Sequence, residues 1–209
     1  MKLDLSPEHL ETIQARRDTA REWFVEDPKT ADEIADFYRY SQALPDELRA
    51  WHEEPTRASW TDTIVQLAKA TNRTCVADIG CGLGHDLIAL RNAGLLGWGV
   101  EPNEIMRKQL CNQGVNCIAS LDASVLIAAD LILLMDVLEH LHDPDTLLKT
   151  VSLRAKLGTI LVEHTPTWDL ADPLHLLSNY GWLTKDHLPQ LGWRMIGNPA
   201  DPVGVWQRV

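Results

Sequence analysis

From Cys75 onward the chain alternates short apolar runs with amphipathic stretches. The runs Cys75 to Ile79, Gly97 to Glu101, Asn116 to Ala119, Leu131 to Met135, Thr159 to Glu163, Trp193 to Ile196 and Val203 to Gln207 predict strands. The stretches Asp86 to Ala93, Asn103 to Asn112, Val137 to Ser152 and Thr184 to Leu191 predict helices between them. Such alternation builds βαβ units and a mostly parallel sheet. The last two strands are joined by Asn198-Pro199-Ala200-Asp201-Pro202, too short for a crossover helix, so they are expected to pair antiparallel. The expected fold is therefore α/β: a seven-stranded, mostly parallel, Rossmann-like sheet with its last hairpin antiparallel and helices on both faces.

Residues 1–72 have a different texture and predict helices only. Ser6-Pro7 supplies an N-cap and a proline at the first helical position, followed by Leu10, Ile13, Ala20 and Trp23 at helical spacing. Thr30 with Glu33 three residues on is a capping-box pattern, opening a helix that carries Ile34, Phe37 and Tyr38 on one side. Pro45 restarts a short turn toward Leu48 and Trp51. The stretch Arg57 to Thr71 puts Trp60, Ile64, Leu67 and Ala68 on one face, which needs the following sheet to cover it. The expected division is a helical N-terminal extension over 1–72, forming a lid and acceptor region, and a ligand-binding α/β domain over 73–209.

Composition narrows the class. With 209 residues, 45% of them hydrophobic, the chain can bury one core. The formal net charge of -11 argues against a partner whose phosphate backbone must be neutralised, so nucleic acid is not expected; the densest basic cluster, Arg16, Arg17 and Arg21, sits in an acidic stretch. No apolar run is long enough to span a membrane and the first ten residues carry charge, so a cytoplasmic protein without membrane insertion is expected. Cys75, Cys81, Cys111 and Cys117 lack zinc-ligand spacing and read as reduced packing residues.

The chemistry concentrates in Val76-Ala77-Asp78-Ile79-Gly80-Cys81-Gly82-Leu83-Gly84-His85-Asp86, three alternating glycines between a strand and a helix. Glycines let the backbone turn sharply and let a ligand approach, and the helix start presents free N–H groups. Asp78 can accept from an ammonium group or order the loop. The spacing is GxGxG, neither the GxGxxG of dinucleotide enzymes nor a P-loop. The next strand ends in Glu101, placed to take both hydroxyls of a ribose, and a later one in Met135-Asp136. Three strand ends thus point at one crevice, where open α/β sheets bind ligands.

The run Asp78 to Gly84, the Val100-Glu101 strand end and Asp130-Leu131-Ile132-Leu133-Leu134-Met135-Asp136-Val137-Leu138-Glu139-His140 together resemble the successive motifs of class I S-adenosylmethionine-dependent methyltransferases. Within that class the chain is most similar to the small-molecule group that contains ubiquinone-biosynthesis methyltransferases. The resemblance covers about 74–209. It implies S-adenosylmethionine as cofactor, S-adenosylhomocysteine as product, and a cofactor site made of Asp78, Gly80, Cys81, Gly82, Gly84, Glu101, Pro102, Ser120, Leu121, Asp122, Met135 and Asp136. Gly80, Gly82 and Gly84 would border the methionine moiety and Glu101 the ribose. Many relatives place an Asp directly at the third strand end; here the order is Ala119-Ser120-Leu121-Asp122, so either Ser120 or Asp122 would serve the adenine amino group.

His164, just past the fifth strand, is the best placed base for the acceptor, the alternative being a histidine that hydrogen-bonds loop backbone. His175 and His85 have weaker claims, and Trp168 and Trp182 are candidate acceptor contacts. The dense group Asp136, Glu139, His140, His142, Asp143 and Asp145 reads as helix capping and surface charge, so no metal is expected, and the resemblance implies that Asp136 lines the methionine side of the cofactor while Glu139 and His140 brace the fold. The expected reaction is in-line methyl transfer to a small-molecule acceptor. Its rivals are a methyltransferase acting on RNA or protein, a binding module of the same fold without turnover, and a nicotinamide-dependent oxidoreductase, which the GxGxG spacing disfavours.

Overall fold

The computed structural model describes residues 11, 18, 30–53, 55–165, 174–175, 184–198 and 201–209. The expected helix start at Ser6-Pro7, the basic cluster, and Trp23, Trp168 and Trp182 lie outside the described residues. Helices α1 (Ala31–Tyr40), α2 (Leu44–Glu53) and α3 (Pro55–Ala70) precede β1 (Cys75–Ile79). There follow α4 (His85–Asn92), β2 (Leu96–Val100), α5 (Glu104–Asn112), β3 (Cys117–Ile118), α6 (Ala123–Ala128), β4 (Leu131–Met135), a 3-10 turn (Leu138–His140), α7 (Pro144–Arg154) and β5 (Ile160–His164). The chain closes with α8 (Thr184–His187), a further 3-10 turn (Leu188–Leu191), β6 (Trp193–Met195) and β7 (Gly204–Arg208).

The seven strands form one sheet in the order β3-β2-β1-β4-β5-β7-β6. All pairings from β3 to β5 are parallel, and β7 enters antiparallel between β5 and β6, with Val162 opposite Val205 and Met195 opposite Trp206. The chain runs outward from β1 to β3, then returns to β4 on the other side of β1. This reversal opens a crevice at the carboxyl ends of β1 and β4.

Alternating side chains of the central strands supply two cores. Ala77, Ile79, Ile132, Leu134 and Leu161 pack with Leu126, Leu148 and Val151 on one face; Trp193 and Trp206 join them. On the other face Val76, Leu131, Leu133 and Val162 pack with Ile64 and Ala68 of α3 and with Leu87 and Leu90 of α4. All five residues of β4 are buried, which is why its sequence is a continuous apolar run. The two buried indoles also find acceptors, Trp193 Nε1 on Ser152 Oγ at 2.7 Å and Trp206 Nε1 on Glu163 Oε1 at 3.2 Å. A third cluster, Ile34, Phe37 and Leu44 with Leu83, Met106 and Leu174, sets α1 and α2 over the glycine turn.

Local signals explain most boundaries. Thr30 and Glu33 form the full capping box that opens α1. The expected single helix over Val137 to Ser152 is instead two pieces. Pro144 has no N–H and favours a first helical turn, and Asp143 caps Thr146 N at 3.0 Å, so α7 begins there. The preceding residues make the 3-10 turn after Asp136, whose φ of +57° turns the backbone sharply at the end of β4. Helix α6 was not expected; Asp122 starts it by accepting from Ser124 N at 2.7 Å.

Candidate active site

The strand-to-helix turn after β1 has Gly80, Gly82 and Gly84 at φ of +71°, +52° and +74°, a region L side chains rarely adopt. Space is short as well: a Cβ on Gly84 would sit 2.4 Å from Leu110 Cδ2, and one on Gly82 3.3 Å from Leu48 Cδ1 of α2. The turn thereby exposes backbone to the crevice. Gly82 N donates to Glu101 Oε2 at 2.9 Å, and Asn103 N donates to Glu101 Oε1 at 2.8 Å, so the carboxylate beyond β2 is pinned against the turn by two backbone N–H groups. Burial nevertheless pushes the Glu101 carboxyl up to about 7, with those two hydrogen bonds and the Arg107 charge opposing the shift. Asn103 also donates to the carbonyls of Tyr38 and Ser41, both at 3.0 Å, which fastens α1 to the sheet edge.

An acidic cluster with one cation lies deeper. Arg57, on the first turns of α3, is 2% exposed and reaches Asp86 through Nη2 to Oδ2 at 2.5 Å and Nη1 to Oδ1 at 3.3 Å. Its Nε lies 3.8 Å from Asp136 Oδ2, and Thr61 Oγ1 donates to Asp86 at 2.5 Å. Burial works against the guanidinium charge, but the hydrogen bond and the charge of Asp86 outweigh it and hold Arg57 ionised. Asp78, fully buried at the end of β1, has its carboxyl raised well above the usual range by burial first and by the Asp86 charge second. His52 stacks on His85 with centroids 4.0 Å apart, and its imidazole is pushed down to about 3 by burial, then by Arg57 and His85, so it stays neutral.

A cavity of about 300 Å³ joins these groups. Its floor is Asp78, Gly80, Cys81, Gly82, Asp86, Glu101, Pro102, Met135 and Asp136; its roof is Ile34, Tyr38, Leu44, Leu48, His52 and Arg57 from α1 to α3; Val137, His140, Leu141 and Leu147 close one side. Of the residues expected from sequence, Gly84, Ser120, Leu121, Asp122 and His164 are not in that wall. Gly84 is the N-cap of α4, and Asp122 is exposed with its carboxylate engaged in capping. His164 is buried behind Asp136: its Nδ1 bonds Asp136 Oδ1, and its ring lies 4.3 Å from that of Trp60. The imidazole thus acts on a side chain that faces the cavity.

Sequence reasoning did not single out Arg57, Asp86 or His52 as site residues, whereas Tyr38, expected on the apolar side of its helix, does line the cavity. Asp86 adjoins the glycine turn and carried a usable signal, whereas Arg57 is one of two cations in an ordinary helix and its importance comes from burial. The surface-charge reading of the acidic group does not extend to Glu139, which is 0% exposed, or to His140, which faces the cavity. The turn after β4 carries them inward, so they never share the outer face of a helix. Cys81 and Cys117 meet with sulfurs 3.8 Å apart over Gly99, where a Cβ would come within 2.5 Å of Cys81 Sγ; all four cysteines are free thiols.

Comparisons with known proteins agree with this architecture. No curated protein sequence matches the chain. Among solved structures, magnesium protoporphyrin IX methyltransferase from Synechocystis PCC 6803 with bound S-adenosylhomocysteine superposes with a TM-score of 0.62 at 17% identity, covering 86% of this chain and 100% of that one. The N-methyltransferase NodS from Bradyrhizobium japonicum WM9, also bound to S-adenosylhomocysteine, gives 0.59 at 13% identity over 86% and 97% of the two chains. A putative caffeoyl-CoA O-methyltransferase from Staphylococcus aureus gives 0.56 at 14% over 86% and 99%. The model of a methyltransferase domain matches residues 50–195, which is most of the chain. With the glycine turn, the acidic strand ends and the seven-stranded sheet in place, the chain belongs to the methyltransferase-domain family and has the class I, Rossmann-like methyltransferase fold.

Proposed function

We propose that this chain transfers the methyl group of S-adenosylmethionine to a small organic acceptor. The observation that carries the reading is one cavity bounded below by the glycine turn and its carboxylates and above by the apolar side chains of α1 and α2. The donor has a sulfonium, an ammonium and one carboxylate. The cavity wall carries four carboxyl groups, Asp78, Asp86, Glu101 and Asp136, and two guanidinium groups, Arg39 and Arg57, so acidic groups outnumber cations around a net cationic ligand. Glu101 would take the ribose hydroxyls, Asp78 and Asp136 the ammonium side, and Arg57 the carboxylate; the adenine would lie beyond Glu101, toward 120–122.

When bound, the donor supplies an electrophilic methyl carbon: the acceptor's lone pair attacks it, the carbon–sulfur bond breaks, and its electron pair neutralises the sulfonium. Alignment and exclusion of water supply much of the acceleration for such a step. The roof from α1 to α3 provides both, and residues 1–72 are accordingly proposed as the acceptor region. Asp136, held between His164 and Arg57, keeps a fixed orientation toward the cavity. His164 would act through it as a positioning residue.

A small acceptor is favoured over RNA by the net charge of -11. No described helix is long and apolar enough to cross a membrane. The test has two parts: calorimetry with S-adenosylhomocysteine and with NAD, then a screen of metabolite, RNA and protein fractions for label from methyl-labelled donor. Binding of S-adenosylhomocysteine alone, with label in the metabolite fraction, is expected. Binding of neither ligand, or label confined to macromolecules, would refute the donor or the acceptor assignment respectively.

A further inference from the structure

Beyond the donor site, the fold gathers Glu139, His140 and His175 so that one ligand atom from each lies within 4.8 Å of the others. Two come from the 3-10 turn after β4 and the third from a distant point in sequence; Glu139 and His175 are buried, and His140 faces the cavity. Glu139 Oε1 is 3.8 Å from His140 Nε2, and the two imidazole centroids are 4.9 Å apart. We propose that these three residues hold a first-row divalent cation of the zinc class at the wall of the acceptor cavity.

Three observations carry the assignment. The first is donor chemistry: two imidazoles and one carboxylate suit borderline divalent ions, and three protein ligands leave a coordination position for water or substrate. The second is orientation. His140 Nδ1 lies 3.0 Å from the carbonyl of Leu174, so this nitrogen carries the proton and Nε2 presents its lone pair toward Glu139. Donation of the second ring N–H to a carbonyl is the usual way a protein fixes a metal-binding imidazole. The third is distance. Donors at most 4.8 Å apart lie no more than about 2.8 Å from a common centre, so each closes in by about 0.7 Å to reach the ~2.1 Å of a zinc–nitrogen or zinc–oxygen bond.

Tyr38 Oη lies 3.1 Å from both ring nitrogens of His140, and both side chains line the cavity, so an acceptor oxygen would approach the ion from this side. The acceptor class that fits is a small molecule with a chelating or ionisable hydroxyl, such as a phenol or a vicinal diol. Bound to the cation, that hydroxyl loses its proton to water, and the resulting oxygen attacks the methyl carbon while the carbon–sulfur bond breaks. This role rests on the methyl-transfer reading. The metal site itself does not, so it is tested without donor or acceptor.

The full chain, free of any histidine tag and stripped with chelator, is titrated with Co2+ alone. One equivalent should bind with visible ligand-field absorption, be displaced by Zn2+ and survive millimolar Mg2+. The wild-type Co2+ form should show two paramagnetically shifted imidazole N–H signals in proton NMR, one from each histidine. Glu139→Gln and His175→Gln should each weaken Co2+ binding at least a hundredfold while S-adenosylhomocysteine affinity stays within about threefold. No stoichiometric Co2+ binding, a site unaltered by either variant in folded protein, or fewer than two shifted imidazole signals in the wild type would overturn the proposal. The NMR count needs no variant, so a misfolded mutant does not shield it.

Discussion

Raising the pH from 6 to 8 is expected to tighten S-adenosylhomocysteine binding about tenfold, through Glu101. Its carboxyl, buried against the glycine turn, titrates at about 7, whereas the ribose hydroxyls need an ionised acceptor. With that value roughly one molecule in eleven carries the carboxylate at pH 6 and roughly ten in eleven at pH 8, a ratio worth about 1.4 kcal/mol. The sign for the unliganded fold is opposite. A carboxyl raised above its ordinary value of 4.5 contributes stability that is complete below 4.5 and lost as pH rises through about 7. The thermal shift produced by the ligand should therefore grow over the same window. Isothermal calorimetry at pH 6, 7 and 8 in buffers of different ionisation enthalpy measures both the affinity and the proton released on binding. Glu101→Gln should flatten the profile and remove the proton release. An affinity independent of pH, or an equal slope in the variant, would show that Glu101 does not receive the ribose.

Other expectations follow from single contacts. Arg57→Met leaves Asp86 buried without its cation and should lower unfolding free energy by about 3–5 kcal/mol, read as a fall in urea midpoint; S-adenosylhomocysteine binding should fall with it. Gly82→Val, at φ of +52° and close to Leu48, should abolish ligand binding by calorimetry while far-ultraviolet circular dichroism stays unchanged. His164→Gln should lower turnover and shift the pH–rate profile with S-adenosylhomocysteine affinity held within about twofold, because its contact with the cavity runs through Asp136. Gly97→Ala would bring a Cβ to 2.4 Å from Val76 Cγ1 and 2.8 Å from Val76 O, and should cost about 1–3 kcal/mol in chemical denaturation.

Much of this molecule is written locally. Short apolar runs placed each of the seven strands to within about a residue or two, because parallel strands buried on both faces read as continuous hydrophobic stretches. The capping box at Thr30, the proline at position 144 and the glycine turn after β1 likewise act within a few residues of chain. Pro144 overrode the apolar pattern that had suggested one long helix. Helix α6 was missed because its six residues are too few for a period to show.

Tertiary structure decided what no window of sequence contains. Arg57 reads as one of many surface cations until α3 docks on α4; only then does it become a guanidinium buried between Asp86 and Asp136. Glu101 reads as an ordinary acid until burial raises its carboxyl to about 7. His164 stands at the expected strand end but behind Asp136, because β4 and β5 are paired with Met135 opposite His164. His175, thirty-five positions from His140, meets Glu139 and His140 only in the folded chain. Local propensity and pattern act over a few residues and fix where elements begin and end. Burial, charge pairing and ligand geometry depend on which elements meet, and that is a property of the packed fold.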